Sequence, residues 1–461
     1  VLKACYIGIL ANAITLGWVI KAVFTMCEAV LPAWNAHVVL GALLMFTLAY
    51  TALSGMWGIA ATDSLQYVIS TVGSIALAVF AVRHVDGING IVEGLAARYG
   101  AREATVRLGF FPQWGTDFFV TFVVFMTLKW WVDMPGAISQ RVLSAKNEKH
   151  ASIATLFFAT VHFGMNYWPM ILVALVSLAV YPDLARPEYG YPMLMVKLLP
   201  TGLLGLMLAA MTAAFMSTVD THINMGASYM VKDIYQRFIV RDADRKHYVW
   251  AGRLATVIML GIALVIALNL DSVKDAWYTL TLLFAGYGFV TVARWFWWRV
   301  NAWSEFSAML GSFGFGMLVR HVLRPAYPEV FDTFGWRFLV VFAGSTVVWI
   351  TTTMVTRPCD EDKLAAFCRK VKPYPLLWGP IVKNHPEIEW SPSLGVAVVH
   401  FLLAAVAIYC TCFGIGYLLF GRPLTGVGLL AGTVATTAII AGTWRYRSYE
   451  KPDEDGEPGG G

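Results

Sequence analysis

The chain has 461 residues, of which 58% are hydrophobic and only 14% charged, and its mean hydropathy is +0.63. A soluble domain carries about 25% charged residues, so this composition excludes a soluble globular protein and specifies one that crosses a bilayer many times. The net charge of +5 is spread over short loops between apolar runs, which argues for membrane topology and against a nucleic-acid partner.

Twelve apolar runs follow one another, at residues 2–30, 38–53, 59–82, 118–132, 153–181, 203–230, 250–268, 276–296, 306–323, 338–355, 394–420 and 424–444. About 20 apolar residues span the hydrocarbon core, so the expected fold class is an all-α polytopic membrane protein, with the second and fourth runs the shortest. The first run begins at once, at Val1, without signal-peptide organisation, and the chain is expected to lack its natural start. With the start inside, most of the 34 Lys and Arg residues fall in inner loops, which predicts a cytoplasmic C-terminus. The expected location is a bacterial-type plasma (inner) membrane.

Three segments between runs are expected as solvated connectors. Residues 83–115 are amphipathic around IVEGLAARYG and predict a short surface helix on the outside. Residues 232–247 continue the sixth run as a basic inner extension, and residues 357–391 form an inner loop with charges and prolines. Residues 447–461, charged and rich in Gly and Pro, are expected to be disordered. The six cysteines show no paired metal spacing, and the chain has no nucleophile elbow, phosphate-cradling loop or zinc pattern. An enzyme is not indicated, and no organic cofactor is expected.

The segment LPTGLLGLMLAAMTAAFMSTVDTHINMGASYMVKDIY, residues 199–235, is long enough to span yet carries oxygen ligands through its middle. At 100° per residue Ala214, Ser217, Thr218, Asp220, Thr221 and Asn224 share an arc of about 160°. Hydrocarbon disfavours such groups unless they serve a function, and hard cations such as sodium take oxygen ligands. The face therefore reads as an ion-binding surface; polar contacts between packed helices are the alternative.

That segment resembles the eighth core helix of the sodium/solute symporter family, which includes sodium/glucose, sodium/proline and sialic-acid cotransporters. GIAATDSLQYVISTVGS at 58–74 is similar to the family's fifth core helix, and ISQRVLSAKNEKHAS at 138–152 to its inner segment between the sixth and seventh. The matches occur in the family's order. The resemblance implies a leucine-transporter-type core of two inverted five-helix repeats, with ions and substrate near the midplane beside broken helices. It places residues 2–30 at the third core helix and 276–296 at the tenth, so the first two core helices are expected to be missing. Residues 1–323 are then the transporter core, and 324–446 are additional transmembrane helices.

Carried over position by position, the family's common sodium site falls on the Ala214 carbonyl and the Ser217 and Thr218 hydroxyls, to be completed by the unwound first helix. A second cation or proton site falls on Asp63, Ser217, Asp220 and Thr221. Asp220 stands where a serine is common, and two carboxylates at one site could hold sodium more strongly or share a proton. A competing reading makes Asp63 an N-cap at the start of its span.

For the solute, His162 occupies a seventh-helix position where sugar-transporting relatives use a lysine. Pro135 replaces a sugar-contacting asparagine, leaving Asp133 as a different polar contact. Asn12, Asn166 and Tyr287 are expected as packing residues. The resemblance implies sodium-coupled import of a small organic solute (sugar, amino acid or carboxylate) by alternating access in a lipid bilayer. Proton-coupled symport, a non-transporting solute sensor or scaffold of the same fold, and an inactive fragment are the alternatives.

Overall fold

The computed structural model describes residues 2–53, 56–129, 142, 145–270, 272–391 and 393–443, with the side chains of 49–64, 117 and 148 outside that description. All regular structure among the described residues is helical. The elements that position the site are α1 (Ala4–Val30), α2 (Ala36–Leu53), α3 (Met56–His84), α4 (Gly87–Tyr99), α5 (Ala101–Arg107) and α6 (Asp117–Thr127). Then come α7, which begins as Glu148–Val161 and ends as Tyr167–Val180, α8 (Gly190–Leu198), α9 (Thr201–Ile239), α10 (Arg245–Leu268), α11 (Val273–Ala293) and α12 (Ala302–Ala326). The last are α13 (Phe334–Val355), α14 (Glu361–Val371), α15 (Gly379–Asn384), α16 (Leu394–Leu419) and α17 (Pro423–Thr443).

Among the described residues every expected apolar run is helical over most of its length, but ten helices reach spanning length, not twelve. The two shortest runs yield the shorter apolar helices Ala36–Leu48 and Phe118–Thr127, the second leading into residues outside the described set. The surface helix expected within 83–115 is present as α4, which begins at the left-handed Asp86 and ends before Gly100. Residues 447–461 lie outside the described residues.

Among the described residues four stretches are π-helical: Ala4–Ala11, His162–Asn166, Tyr229–Ile239 and Val319–Leu323. Such wide turns are uncommon and recur at functional sites.

The chain divides into two compact units. The first comprises residues 1–133, 169–287 and 309–345. Its core is built by Leu16 and Ile20 of α1, Leu40 of α2, Phe215, Val219 and Ile223 of α9, and Met259 and Ala263 of α10. Because lipid is as apolar as these side chains, close packing rather than burial from water holds them together. A Cβ on Gly8 would lie 2.6 Å from the Tyr229 ring, and one on Gly226 would lie 3.0 Å from the Gly8 carbonyl. Glycine at both positions lets α1 and α9 approach backbone to backbone.

The second unit comprises residues 134–168, 288–308 and 346–461. Here α16 and α17 form an antiparallel pair joined through Thr411–Thr433 and His400–Thr443 contacts at 3.1 and 2.7 Å. The loop expected at 357–391 is not a solvated connector. Leu364, Ala365, Cys368, Trp378, Ile381 and Ile388 form a small buried core against Trp298, and the Trp378 indole N–H donates to the Trp295 carbonyl at 3.3 Å. Charged residues cover the outside: Arg369 pairs with Glu387 at 2.6 Å and holds that carboxyl below its usual range, and Lys372 pairs with Glu389. Burial pushes the Cys368 thiol up to about 11.

Candidate ion-binding site

α9 opens after Pro200, whose extended backbone precedes the first helical residue. Its apolar side, Phe215, Val219 and Ile223, is almost fully buried against α1 and α10. On the helical wheel this side is centred about 200° from Ser217, so the oxygen-bearing arc faces away from that core. The sequence pattern thus orients α9 by packing its apolar side against α1 and α10.

On the oxygen-bearing arc Ser217, Thr218 and Thr221 are half-buried and Ala214 is exposed. Asp220 is only 1% exposed. Asn224, one turn on, donates its Nδ2 hydrogen to Asp220 Oδ1 at 2.5 Å. The Thr218 hydroxyl donates to the Ala214 carbonyl at 2.9 Å, so two expected ligands of the first site lie within one hydrogen bond. A hydroxyl that donates to a carbonyl keeps its own lone pairs, and both oxygens can still face a cation.

α3 packs along α9. A Cβ on Gly73 would meet the Met207 sulfur at 2.7 Å, which fixes the register of closest approach. The two helices run antiparallel. The end of α3 leads into α4, and α4 meets the residues before α8 and α9 through Gly94 against Ala179 and an Arg98–Asp183 ion pair. The Asp63 side chain lies outside the description, but the backbone does not support an N-cap. Residue 63 lies about two turns inside α3, where intrahelical bonds already occupy the backbone N–H groups.

Of the expected solute contacts, Asp133 lies outside the described residues. His162 belongs to the second unit, where it starts the π-helical segment of α7. Its ring stacks on Phe158 at 5.1 Å and meets Phe163 and Tyr167 edge-on at 5.0 and 5.4 Å.

Asn12 is a packing residue, as expected, though its partner is not evident in sequence. Its amide donates to the Gly8 carbonyl at 3.2 Å, and its oxygen meets His222 Nδ1 at 2.6 Å. An amide oxygen only accepts, so His222 carries its proton on Nδ1 in this contact. His222 is the polar residue of α9 that the oxygen-face reading passes over; a histidine in mid-span was the available signal.

The sequence profile of the sodium:solute symporter family matches residues 10–312. The chain is 27% identical over 387 residues to sodium/glucose cotransporter 4 of Danio rerio, covering 72% of this chain and 57% of that protein. It is 25% identical over 263 residues to a sodium/mannose cotransporter of Bos taurus, with coverages of 50% and 43%. For sodium/myo-inositol cotransporter 2 of Sus scrofa the identity is 25% over 380 residues, with coverages of 72% and 56%. The chain spans about half the length of the curated relatives it matches. These relatives are transporters, not enzymes. Among solved structures, the substrate-bound outward-open state of a Na+-coupled sialic acid symporter aligns with a TM-score of 0.56 at 17% identity. It covers 78% of this chain and 75% of that one, a likeness of fold.

Proposed function

Because the chain belongs to the sodium:solute symporter family, we propose that it is a sodium-coupled symporter importing a small organic solute by alternating access. The observation that carries this reading is the buried Asp220 carboxylate on the oxygen-lined arc of α9, a helix that packs along α3. A carboxylate at mid-span costs about 2.5–3.5 kcal/mol on insertion scales, a cost that a bound cation offsets.

In this reading the first sodium is held by the Ala214 carbonyl and the Ser217 and Thr218 hydroxyls. A second cation is held by Asp63, Ser217, Asp220 and Thr221. Both sites draw on α9, and the second also draws on α3, so a cation between them stabilises one arrangement of the two helices over the other. An ion shifts such an equilibrium only by its difference in affinity for the two states. At 100 mV an inward charge contributes about 2.3 kcal/mol and a tenfold sodium gradient about 1.4. One sodium then supports roughly 10²–10³-fold accumulation of a neutral solute.

The solute is a sugar, polyol, amino acid or carboxylate, in keeping with relatives named for mannose, glucose and myo-inositol. His162 contributes to its recognition, with Asp133 a further polar contact. Residues 1–323 carry transport and 324–446 add accessory helices, in a plasma membrane of the bacterial type with the C-terminus cytoplasmic. The test is uptake of a panel of labelled solutes into proteoliposomes under an inward sodium gradient, with potassium as control. Uptake of one solute class that collapses without sodium supports the reading. Solute binding with no uptake under any gradient supports a sensor instead.

A further inference from the structure

Away from the oxygen-lined side of α9, the Val273 end of α11, the Ala326 end of α12 and the Phe334 end of α13 enclose a cavity of about 160 Å³. Its wall has two characters. Arg320, Arg324 and Arg337 bring three guanidiniums to it, together with the Asp275 carboxylate. Leu282, Phe313 and Met317 supply an apolar side deeper along α11 and α12.

The charges are unbalanced. Arg324 Nε donates to Asp332 at 2.8 Å, and an Arg337 amino group donates to the Asp332 carbonyl at 3.2 Å. Asp275 accepts from the Ser272 hydroxyl at 3.0 Å, and Lys274 stands over the Tyr278 ring at 5.5 Å. Three arginines thus line the cavity against one carboxylate, that of Asp275. Arg320 has no hydrogen-bond or ion-pair partner among the described residues and is exposed. Arg337 Nε is buried without a hydrogen-bond partner there, while its guanidinium lies over Tyr278 and Phe334 at 5.5 and 5.6 Å. The planar guanidinium fork fits a carboxylate with two parallel N–H bonds.

We propose that this cavity binds a small organic anion, its carboxylate received by Arg320 and Arg337 and its apolar body packed against Leu282, Phe313 and Met317. The site uses none of the sodium-facing residues of α9 and stands whether or not transport is demonstrated. A cavity of about 150 Å³ accommodates benzene, so benzoate is a probe of the right size and chemistry. Purified full chain in detergent, at fixed sodium and ionic strength, is titrated with sodium benzoate and with benzyl alcohol as the uncharged counterpart, and heat is recorded calorimetrically. The expected result is saturable benzoate binding, no saturable binding of benzyl alcohol, and at least tenfold weaker benzoate binding in Arg337→Gln. Arg320→Gln, at an exposed position where folding is not at stake, gives the same loss and keeps the test intact if Arg337→Gln does not fold. Absence of saturable benzoate binding, equal binding of benzyl alcohol, or unchanged affinity in Arg320→Gln overturns the proposal.

Discussion

Asp220→Asn separates an ion-binding carboxylate from a packing residue. The substitution keeps side-chain size and removes one charge from a position only 1% exposed. The hydrogen bond from Asn224, 2.5 Å to Oδ1, has an amide oxygen to accept it in the variant. The expected change in stability is therefore at most about 1 kcal/mol. Ion binding should respond far more. At an effective dielectric of about 20, a unit charge 4 Å from a cation contributes about 4 kcal/mol. Dehydration of the ion offsets part of this, leaving an expected loss of about 1.4–2.8 kcal/mol, a 10- to 100-fold rise in the sodium concentration for half-maximal uptake. The Hill coefficient for sodium should fall towards one, because the Ala214–Ser217–Thr218 site remains. The assay is the initial rate of uptake against sodium concentration at constant ionic strength, with thermal unfolding as the control for folding. A folded variant whose sodium dependence matches the parent refutes the second site. A variant that changes only the pH profile assigns the position to a proton.

Thr218→Val removes the hydroxyl that donates to the Ala214 carbonyl while keeping the β-branched shape. Half-maximal sodium should rise about tenfold at little cost in stability, read from uptake and unfolding together. Asn12→Ala leaves His222 Nδ1 without its 2.6 Å acceptor. It should lower detergent-phase stability by about 1–3 kcal/mol, seen as a drop in Tm. Outside the spans, the Cys368 thiol is buried and raised to about 11 whereas Cys359 is exposed. The raised value keeps Cys368 protonated below that pH, and the thiolate is the reactive form. At pH 8 a maleimide should label Cys359 and spare Cys368 until the protein is unfolded, as read by peptide mass spectrometry.

The spans were legible because a bilayer demands about 20 apolar residues at a stretch, a signal that survives any tertiary context. The oxygen-bearing side of α9 was legible for a related reason: a period of 3.6 residues puts Ser217, Asp220, Thr221 and Asn224 on one arc however the helix packs. What periodicity does not encode is register between distant segments. The Asn12–His222 contact joins residues 210 apart, and neither has a local pattern pointing to the other. The π-helical turns were also hidden, since hydropathy is blind to a one-residue change in hydrogen-bond spacing. Residues 357–391 were misread because their charges and prolines dominate the composition. Yet Leu364, Ala365 and Cys368 recur at helical spacing and, with Trp378 and Ile381, close a core. The competing reading of Asp63 as a cap arose because ATD precedes an apolar run, whereas α3 begins at Met56 and passes through it.

The central claim is that α9 presents hydroxyl and carbonyl oxygens to sodium, and equilibrium binding of radioactive sodium to the purified protein tests it without reference to any solute. The expected result is saturable binding displaced by unlabelled sodium but not potassium, and weakened at least tenfold when Ser217→Ala and Thr218→Val are combined in a protein that still folds. Saturable binding that persists unchanged in that double variant contradicts it.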